Sequence, residues 1–509
     1  MSEEQGQLAK GLEGVNPNRL FLGSCLSLIA TAVAFGAVTG MTEDFKTVFS
    51  LSNTQTGWVG GAALWGFAIS IWVFGPLCDG IGMARLMRFS LVCHLVGPLL
   101  MIFARGFGML YAGALIIALG NGTVEAVCNP LIATLFPGKK IAKLSQFHMW
   151  FPGGIVIGGL WAFFLNKLSP DLWTRLPVVA WQVKIALVLL PAILYGIIFT
   201  GQKFPATERV QSGHSFRDMV TGTLGRPLFW VLFICMSLTA SMELGPGRWM
   251  GTVMKSTMES TFGLSDAGIL VLVYGSGLMA ILRFFAGPVV HKLSDLGLLL
   301  TSAILGGLGL LWLTYAGQSW QVILAATMFY CGVCYFWPTM LGVTAERVPQ
   351  GGALALGLLG GWGMMVVGLI TTPAMGWVMD YYGHDKLPLA QTQIVVQQAV
   401  TILPEIAAAT EDEVLQDKIQ EATRLVTQVQ QQIAATQALP PVETAKALRE
   451  ITFFAPNQPL GQEAKTLVMP ADEYGGLMSY RWIAAMSVIL ILVFGTLALK
   501  DRRSQVPSG

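Results

Sequence analysis

The chain has 509 residues, of which 54% are hydrophobic and only 12% are charged, and its net charge is +2. Soluble domains carry about a quarter of their residues as charged side chains, so this composition excludes an ordinary soluble enzyme or binding domain. The charge is nearly balanced and forms no basic run, which gives no sign of a nucleic-acid partner.

Twelve apolar runs are each long enough to cross about 30 Å of hydrocarbon. The pattern therefore predicts an all-α membrane protein with twelve transmembrane helices. In chain order the runs cover roughly residues 20–41, 56–78, 86–104, 107–135, 144–167, 179–200, 228–250, 264–290, 297–316, 319–345, 352–379 and 479–499.

The loop charges predict the orientation. With both termini in the cytoplasm, sixteen Lys and Arg fall on the inner side and eight fall on or beside the short outer loops. This asymmetry follows the positive-inside rule, and we expect a multi-pass protein of the cytoplasmic (inner) membrane. Residues 1–19 are polar, so they are interpreted as a cytoplasmic tail rather than a signal peptide.

The chain looks duplicated with an offset near 210 residues. Gly75-Pro76 recurs as Gly287-Pro288, and Asn129-Pro130 recurs as Trp337-Pro338. Proline removes a helix hydrogen bond, which frees a carbonyl for a solute or for helix bending. Two parallel six-helix repeats with a site between them are a recurring transporter plan. The predicted units are an N-terminal bundle at 20–200, a cytoplasmic linker at 201–227, helices 7–11 at 228–379, and helix 12 with its tail at 479–509.

One segment, 380–478, interrupts the second repeat and is expected outside the membrane. From residue 381 it carries twelve acids against six Lys and Arg. The spacing from Ile394 to Leu439 predicts one or two amphipathic helices, ended by Pro440-Pro441 and followed by a shorter helix near 442–452. Two interpretations stay open: a cap over the outer vestibule, or a mobile insertion of minor function.

Span four carries a buried acid. Glu125 is the one charged residue between Tyr111 and Leu135, and Asn121 and Asn129 lie four residues to either side of it. All three are expected on one side of the helix. A carboxylate in hydrocarbon costs at least a few kcal/mol, which favours a water-filled cavity or a polar partner. The alternative is a protonated acid that only packs two helices together.

Four further ionisable residues are site candidates. His148 in span five could exchange a proton with Glu125, or act as a neutral hydrogen-bonding group. Glu243 and Arg248 in span seven could form an outer gate, bind solute or make a static pair. Arg283 in span eight could neutralise an acid or an anionic solute, although snorkelling to the inner surface competes with both roles.

Aromatic residues supply candidates for binding a solute ring. Trp58, Trp65 and Trp72 form a stripe in span two, and Trp65 is expected nearest to a cavity. Trp58 fits an interfacial anchor better. Tyr330 and Trp337 are the corresponding candidates in the second half.

The loop after span two carries Asp79, Arg85 and Arg88. Asp79 can cap a helix end, and the arginines can pair with it or with lipid phosphates. The loop resembles the signature between spans two and three of the major facilitator superfamily, which implies a cytoplasmic latch that closes when the cavity faces outward. A weaker copy, Gly287–Asp295, has His291 in place of the acid.

A narrower resemblance lies in span four. Glu-x-x-x-Asn-Pro at 125–130 looks like the fucose–proton symporter group, and Leu144–His148 and Glu243–Trp249 resemble its fifth and seventh spans. The resemblance implies that Glu125 takes part in proton coupling and sugar binding, with Asn129 beside the cavity. One departure is Ala30–Phe35, since the group's symporter has an acid in span one. That departure puts a two-acid scheme in doubt.

Together these features favour a secondary active transporter of a small polar solute, a sugar by resemblance, with possible proton coupling. The alternatives are a facilitator, a carrier of nucleosides or organic anions, or a transporter-like sensor whose insertion binds a ligand or partner. We expect a monomer in the lipid bilayer that is not an enzyme and needs no cofactor or metal. Proton coupling is assigned to Glu125 and His148; solute binding to Asn121, Glu125, Asn129, Trp65, Glu243, Tyr330 and Trp337; gating to Asp79, Arg85, Arg88, Arg248 and Arg283.

Overall fold

The computed structural model of the chain is helical in every regular element that it describes. The described residues are 13–41, 45, 48–49, 53–167, 180–211, 213, 215–254, 268–410, 413–456 and 458–505.

The first repeat, called the N-half, consists of eight helices that make six spans. The fifth span is divided between α5 and α6, and the sixth between α7 and α8. The helices are α1 (Pro17–Gly40), α2 (Asn53–Ile81), α3 (Met83–Ile102), α4 (Phe107–Leu135), α5 (Lys140–His148), α6 (Trp150–Lys167), α7 (Ala180–Ala186) and α8 (Leu189–Phe199).

A polar linker with the short helices α9 (Glu208–Gln211) and α10 (Phe216–Leu224) leads into the second repeat, called the C-half. The last span of the C-half lies in the final helix, α22 (Pro459–Gln505). The other helices of the C-half are α11 (Pro227–Val253), α12 (Gly268–Phe284), α13 (Ala286–Leu293), α14 (Asp295–Leu313), α15 (Ser319–Val333), α16 (Phe336–Arg347), α17 (Gly352–Val366) and α18 (Thr372–Gly383).

Among the described residues, ten helices are long and apolar enough to cross a bilayer, and the bent pair Val271–Phe284 and Ala286–Leu293 makes an eleventh. Helix α6 has 18 residues and lies where the fifth of the twelve spans was predicted. The prediction of an all-α membrane protein with twelve spans is therefore confirmed. We call the membrane face with the linker the linker side and the opposite face the insertion side.

Span ten differs from its prediction as one continuous helix, because Cys334 and Tyr335 separate α15 from α16. Pro338 explains the break, since it has no N–H to donate to the carbonyl of Cys334. Span eight bends by 67° between α12 and α13, where Pro288 leaves the carbonyl of Phe284 without a helical donor.

The two halves pack closely on the linker side. Helix α2 meets α17 at Gly75, where an added Cβ would lie 3.2 Å from the Cα of Gly357 and 3.3 Å from the carbonyl oxygen of Ala353. Helix α16 approaches α5 at Gly342, with Ile141 filling the space of a side chain. Small residues thus permit helix contacts that close the linker side of the molecule.

The segment predicted as an insertion folds around a hydrophobic core of its own. It contains α19 (Leu389–Ala408), α20 (Glu413–Thr436) and α21 (Pro441–Phe454), which pack with the first part of α22. Helix α22 has 47 residues, so at 1.5 Å per residue it is about 70 Å long. Because hydrocarbon is about 30 Å thick, this helix extends well beyond the bilayer.

An ion-pair cluster fastens this unit to the membrane helices. Arg449 on α21 lies 2.6 Å from Asp380 at the end of α18 and 2.5 Å from Asp472 on α22. Burial alone would lower the pKa of Arg449, but its hydrogen bonds and charge interactions with Asp472 and Asp380 raise the pKa overall. The insertion is therefore attached by charge as well as by chain continuity to the ends of two spans.

Candidate functional site

A small cavity that is partly open to solvent lies between the halves. Its lining combines ionisable and aromatic side chains inside the membrane. The N-half contributes Phe67, Glu125, His148 and Phe151, and the C-half contributes Glu243, Leu244, Arg283, Trp337 and Met364.

On the N-half, Glu125 belongs to a hydrogen-bonded trio. Asn129 lies one turn along α4 and donates its amide to Glu125 Oε2 at 2.7 Å. The Asn129 carbonyl oxygen lies 2.9 Å from His148 Nε2, so that ring nitrogen is the donor. His148 Nδ1 then faces Glu125 Oε1 at 3.8 Å, which is longer than a hydrogen bond. The trio can hold a proton on either the carboxylate or the ring.

On the C-half, Arg283 and Glu243 form an ion pair with 2.5 Å between Nη2 and Oε1. Both side chains are almost fully buried, so Arg283 does not snorkel to the surface. A buried charge of this kind is costly unless it is paired and hydrogen-bonded. The pairing shows that Arg283 neutralises an acid of the chain itself.

The break in span ten explains the position of this pair. Arg283 Nε donates to the free carbonyl of Cys334 at 2.6 Å, and Glu243 Oε2 accepts from the backbone N–H of Trp337 at 3.1 Å. The cation therefore binds the negative end of α15 and the carboxylate binds the positive end of α16, as helix dipoles favour. The same arrangement places the Trp337 ring in the cavity wall.

The charges around the cavity are unequal. Two carboxylates and one guanidinium line it, and the guanidinium is paired with Glu243. Within the described part of the chain, the ion-pair partner of Glu125 is His148. Glu125 is thus the acid of the cavity whose ion-pair contact is a histidine, whereas Glu243 is paired with an arginine.

Asn121 lies outside this cavity, although we expected it to share a side with Glu125. Its Oδ1 contacts His94 Nε2 at 2.8 Å, and His94 Nδ1 lies 3.1 Å from the Tyr195 hydroxyl. Residues four apart are offset by about 40° around a helix of 3.6 residues per turn, and the offset turns Asn121 toward α3 and α8. His94, a polar residue within the third apolar span, was the sequence signal for this network.

The aromatic candidates separate into two groups. Trp337 lines the cavity, whereas Trp65 packs against the ring of Tyr111, with centroids 6.4 Å apart, and Tyr330 packs against Gly275. Sequence reasoning missed the apolar lining residues because apolar side chains in apolar spans carry no distinguishing signal. They are Phe67, Phe151, Leu244 and Met364.

The candidate gating residues lie at the linker side. Asp79 accepts a hydrogen bond from Thr207 Oγ1 in the linker at 2.6 Å. Arg85 and Arg88 are exposed and donate to carbonyls of the preceding turn, at 3.1 and 3.4 Å. The side chain of Arg248 is outside the described residues, so its predicted pairing with Glu243 is not described.

The second copy of the loop motif carries a separate cluster. Asp295 lies 2.7 Å from Arg347 at the end of α16, and Arg347 also lies 2.6 Å from Asp501 on α22. This cluster joins three helix ends of the C-half on the linker side.

Residues 20–371 match the family model described as Major Facilitator Superfamily. Among curated proteins, the chain is 23% identical over 251 residues to a gentisate transporter of Corynebacterium glutamicum, a match that covers 47% of this chain and 54% of that protein. It is 25% identical over 180 residues to the glucose transporter GlcP of Staphylococcus epidermidis, covering 35% of this chain and 37% of that protein. These matches span about half, or less, of the relatives' own lengths.

Solved structures share the fold. One is the major facilitator superfamily transporter FucP in an outward conformation, with TM-score 0.57, 19% identity, and coverage of 71% of this chain and 92% of that chain. Another is the proton:xylose symporter XylE, with TM-score 0.57, 15% identity, and coverage of 71% and 90%. An inward-facing bacterial homologue of the lysosomal transporter Spinster has TM-score 0.58 and 13% identity, and covers 97% and 99%.

Proposed function

The chain belongs to the Major Facilitator Superfamily, and on that premise we propose that it is a proton-coupled secondary transporter of a small uncharged polar solute, a sugar or a related polyol. The observation that carries the proposal is the buried carboxylate of Glu125, which faces a cavity between the halves and, among the described residues, has His148 rather than an arginine or lysine as its ion-pair contact. A buried carboxylate in that setting gains stability by taking up a proton.

In this proposal Glu125 is the group that binds and releases the proton. Asn129 orients one carboxylate oxygen at 2.7 Å, and His148 faces the other at 3.8 Å. Protonation removes the charge from the cavity, which lowers the cost of closing the halves around a neutral solute. Such a scheme needs one acid, in keeping with the apolar stretch Ala30–Phe35 in span one.

The cavity walls suit a sugar ring. Trp337, Phe67 and Phe151 offer apolar faces, and the trio around Glu125 offers donors and acceptors for hydroxyl groups. The glucose transporter among the relatives supports this solute class.

An organic anion is the second candidate, because relatives include a gentisate transporter and a cis,cis-muconate transport protein. The site geometry disfavours it. Arg283 is already paired with Glu243, so a solute carboxylate would have to displace Glu243 while lying close to Glu125. A neutral solute meets neither difficulty.

The close packing of Gly75 and Gly357 fits a state in which the linker side is shut. We assign the linker side to the cytoplasm, with both termini there, because of the Lys and Arg distribution. The hydrogen bond between Asp79 and Thr207 would then steady the shut state from the cytoplasmic side. We further propose that the protein acts as a monomer in the cytoplasmic membrane.

Reconstitution into liposomes tests the proposal. Uptake of labelled glucose, xylose, fucose and inositol is compared with uptake of gentisate and muconate, with and without an imposed proton gradient. We expect gradient-driven uptake of a neutral solute, and Glu125→Gln should abolish it while leaving solute exchange. Gradient-driven uptake that survives in the variant would reject the role of Glu125. Uptake confined to the two acids would reject the solute class.

A further inference from the structure

Two of the proline breaks in the membrane helices leave carbonyl groups that face Arg283. In a regular helix, each carbonyl accepts from the N–H four residues later, and proline has no N–H to give. Pro152 therefore frees the carbonyl of His148, and Pro338 frees that of Cys334. Inside a membrane such groups must find another partner.

Arg283 supplies the missing donor to both. Its Nη1 donates to the His148 carbonyl at 2.9 Å and its Nε donates to the Cys334 carbonyl at 2.6 Å. Its Nη2 holds Glu243 at 2.5 Å. One guanidinium thus occupies three acceptors with three different nitrogens, which the planar fork of arginine allows and an ammonium group does not reproduce.

One of these bonds crosses between the halves. His148 ends α5 in the N-half, whereas Arg283 lies on α12 in the C-half. A reciprocal bond lies beside it: Gln146 of α5 donates at 3.4 Å to the carbonyl of Phe284, which Pro288 has freed. The contact between spans five and eight therefore includes two side chains that replace backbone donors lost to proline.

We propose that Arg283 is a positioning residue that links the halves through the His148 carbonyl, so that the protonation state of Glu125 sets how the halves pack against each other. This inference rests on the proton role proposed for Glu125. It replaces the gating role expected for Arg283 with a role in coupling.

The link passes through a single residue. The His148 ring contacts Asn129 and faces Glu125, while its carbonyl holds Arg283. Because Pro152 makes no hydrogen bond to that carbonyl, the carbonyl of His148 can shift without breaking a hydrogen bond to its own span. When Glu125 gains or loses a proton, its attraction for His148 Nδ1 changes, and the position of the carbonyl that Arg283 follows changes with it.

Other ionisable groups near Glu125 must be considered in any pH experiment. They are His148 on α5, Arg283 on α12, Glu243 on α11, and Cys128 on its own helix. His94 on α3 faces Asn121 instead. Of these, Glu125 is tested directly by Glu125→Gln.

The test measures the packing of the halves without needing the solute. Spin labels are placed by Thr200→Cys and Lys500→Cys, at exposed linker-side positions on the two halves. The distance distribution between them is recorded in nanodiscs between about pH 5 and pH 8, a range in which buried carboxylates titrate. The chain without these two substitutions controls for labelling of its native cysteines, which are buried or half-buried.

Two matched substitutions separate coupling from structure. Pro152→Ala returns an N–H to the His148 carbonyl and so competes with the bond between the halves, leaving the charges of Arg283 and Glu243 in place. Pro338→Ala does the same for Cys334, entirely within the C-half. Arg283→Lys keeps the charge beside Glu243 but loses the fork.

We expect the label distance to shift with pH in the parent, and the shift to be lost in Glu125→Gln, Arg283→Lys and Pro152→Ala but kept in Pro338→Ala. A pH shift that persists in Pro152→Ala and Arg283→Lys, while Glu125→Gln abolishes it, overturns the coupling role alone. Equal loss in both proline variants also overturns it. A pH shift that Glu125→Gln leaves unchanged overturns the proton role of Glu125 and the inference with it.

Discussion

Asn129 donates its side-chain amide to Glu125 across one turn of α4, at 2.7 Å. The carbonyl end of the same amide lies 2.9 Å from His148, so Asn129 fixes both the carboxylate and the ring. Neither contact reaches solvent, since all three side chains are almost fully buried. The acid of the cavity is therefore held in a defined orientation before any solute arrives.

Replacing this amide tests its orienting role. Asn129→Ala leaves a buried acceptor and a buried donor unsatisfied, at a cost of about 1–3 kcal/mol each. We expect a lower thermal unfolding temperature in detergent. We also expect proton-driven uptake about tenfold slower, as a loss of 1.4 kcal/mol produces.

Asn121→Ala is the matched control, because it also removes a buried amide of α4 but one bound to His94. It should lower stability by a similar amount while leaving the pH profile of uptake in place. Equal effects of the two variants on that profile would contradict an orienting role specific to Asn129.

The ion pair between Arg283 and Glu243 predicts a non-additive pair of substitutions. Arg283→Met leaves Glu243 as an uncompensated buried charge, and breaking such a pair costs about 3–5 kcal/mol. Adding Glu243→Gln removes that charge. We therefore expect the double variant to unfold at a higher temperature than Arg283→Met alone, although both lose uptake. A double variant less stable than the single would show that the two side chains are not coupled.

The glycine contact between α2 and α17 predicts a shift in conformation. A Cβ on Gly75 would meet the Gly357 backbone at 3.2 Å, and backbone on that side cannot give way as a flexible side chain can. Gly75→Leu should therefore separate the halves on the linker side. Linker-side accessibility to a thiol reagent, measured at an introduced cysteine, should rise.

Gly60→Leu provides the comparison on the same helix, since an added Cβ at Gly60 meets nothing within 4 Å among the described residues. It should leave the accessibility unchanged. An increase of the same size at both positions would mean that the close approach at Gly75 does not hold the linker side shut.

The attachment of the insertion can be tested at Arg449, which bridges Asp380 and Asp472. Arg449→Ala leaves the two carboxylates facing each other without a cation. We expect faster limited proteolysis of the segment 384–458. The stability of the membrane helices should change little. Arg424→Ala, at an exposed position on α20, should not change the cleavage rate. Unchanged proteolysis in Arg449→Ala would show that packing alone holds the unit.

Much of the fold was predictable because a helix that crosses the membrane needs a long apolar run, and such runs can be recognised in the sequence. Pro338 also marked the position at which span ten breaks. What the sequence did not show is which distant residues meet. Glu243 is forty residues from Arg283 along the chain, and the nearer Arg248 was the partner that spacing suggested.

For the candidate site, Glu125 and Asn129 were recognisable because their interaction is local to one helix turn. Asn121 was expected beside the cavity but contacts His94 on α3 instead. The rotation of the helix over one turn and the packing of α3 against it direct the side chain there. The contribution of Pro152 depended on Arg283 lying opposite its freed carbonyl, which requires the arrangement of both halves.

The tether at Arg449 has a practical consequence for imaging. The insertion is continuous with α22 and is attached to α18 by the Arg449 ion pairs. It should therefore turn with the C-half when the C-half tilts. For a membrane protein whose remaining mass is hidden by detergent, it offers a built-in landmark for aligning particle images. The angle of that landmark to the micelle would report the tilt of the second repeat directly.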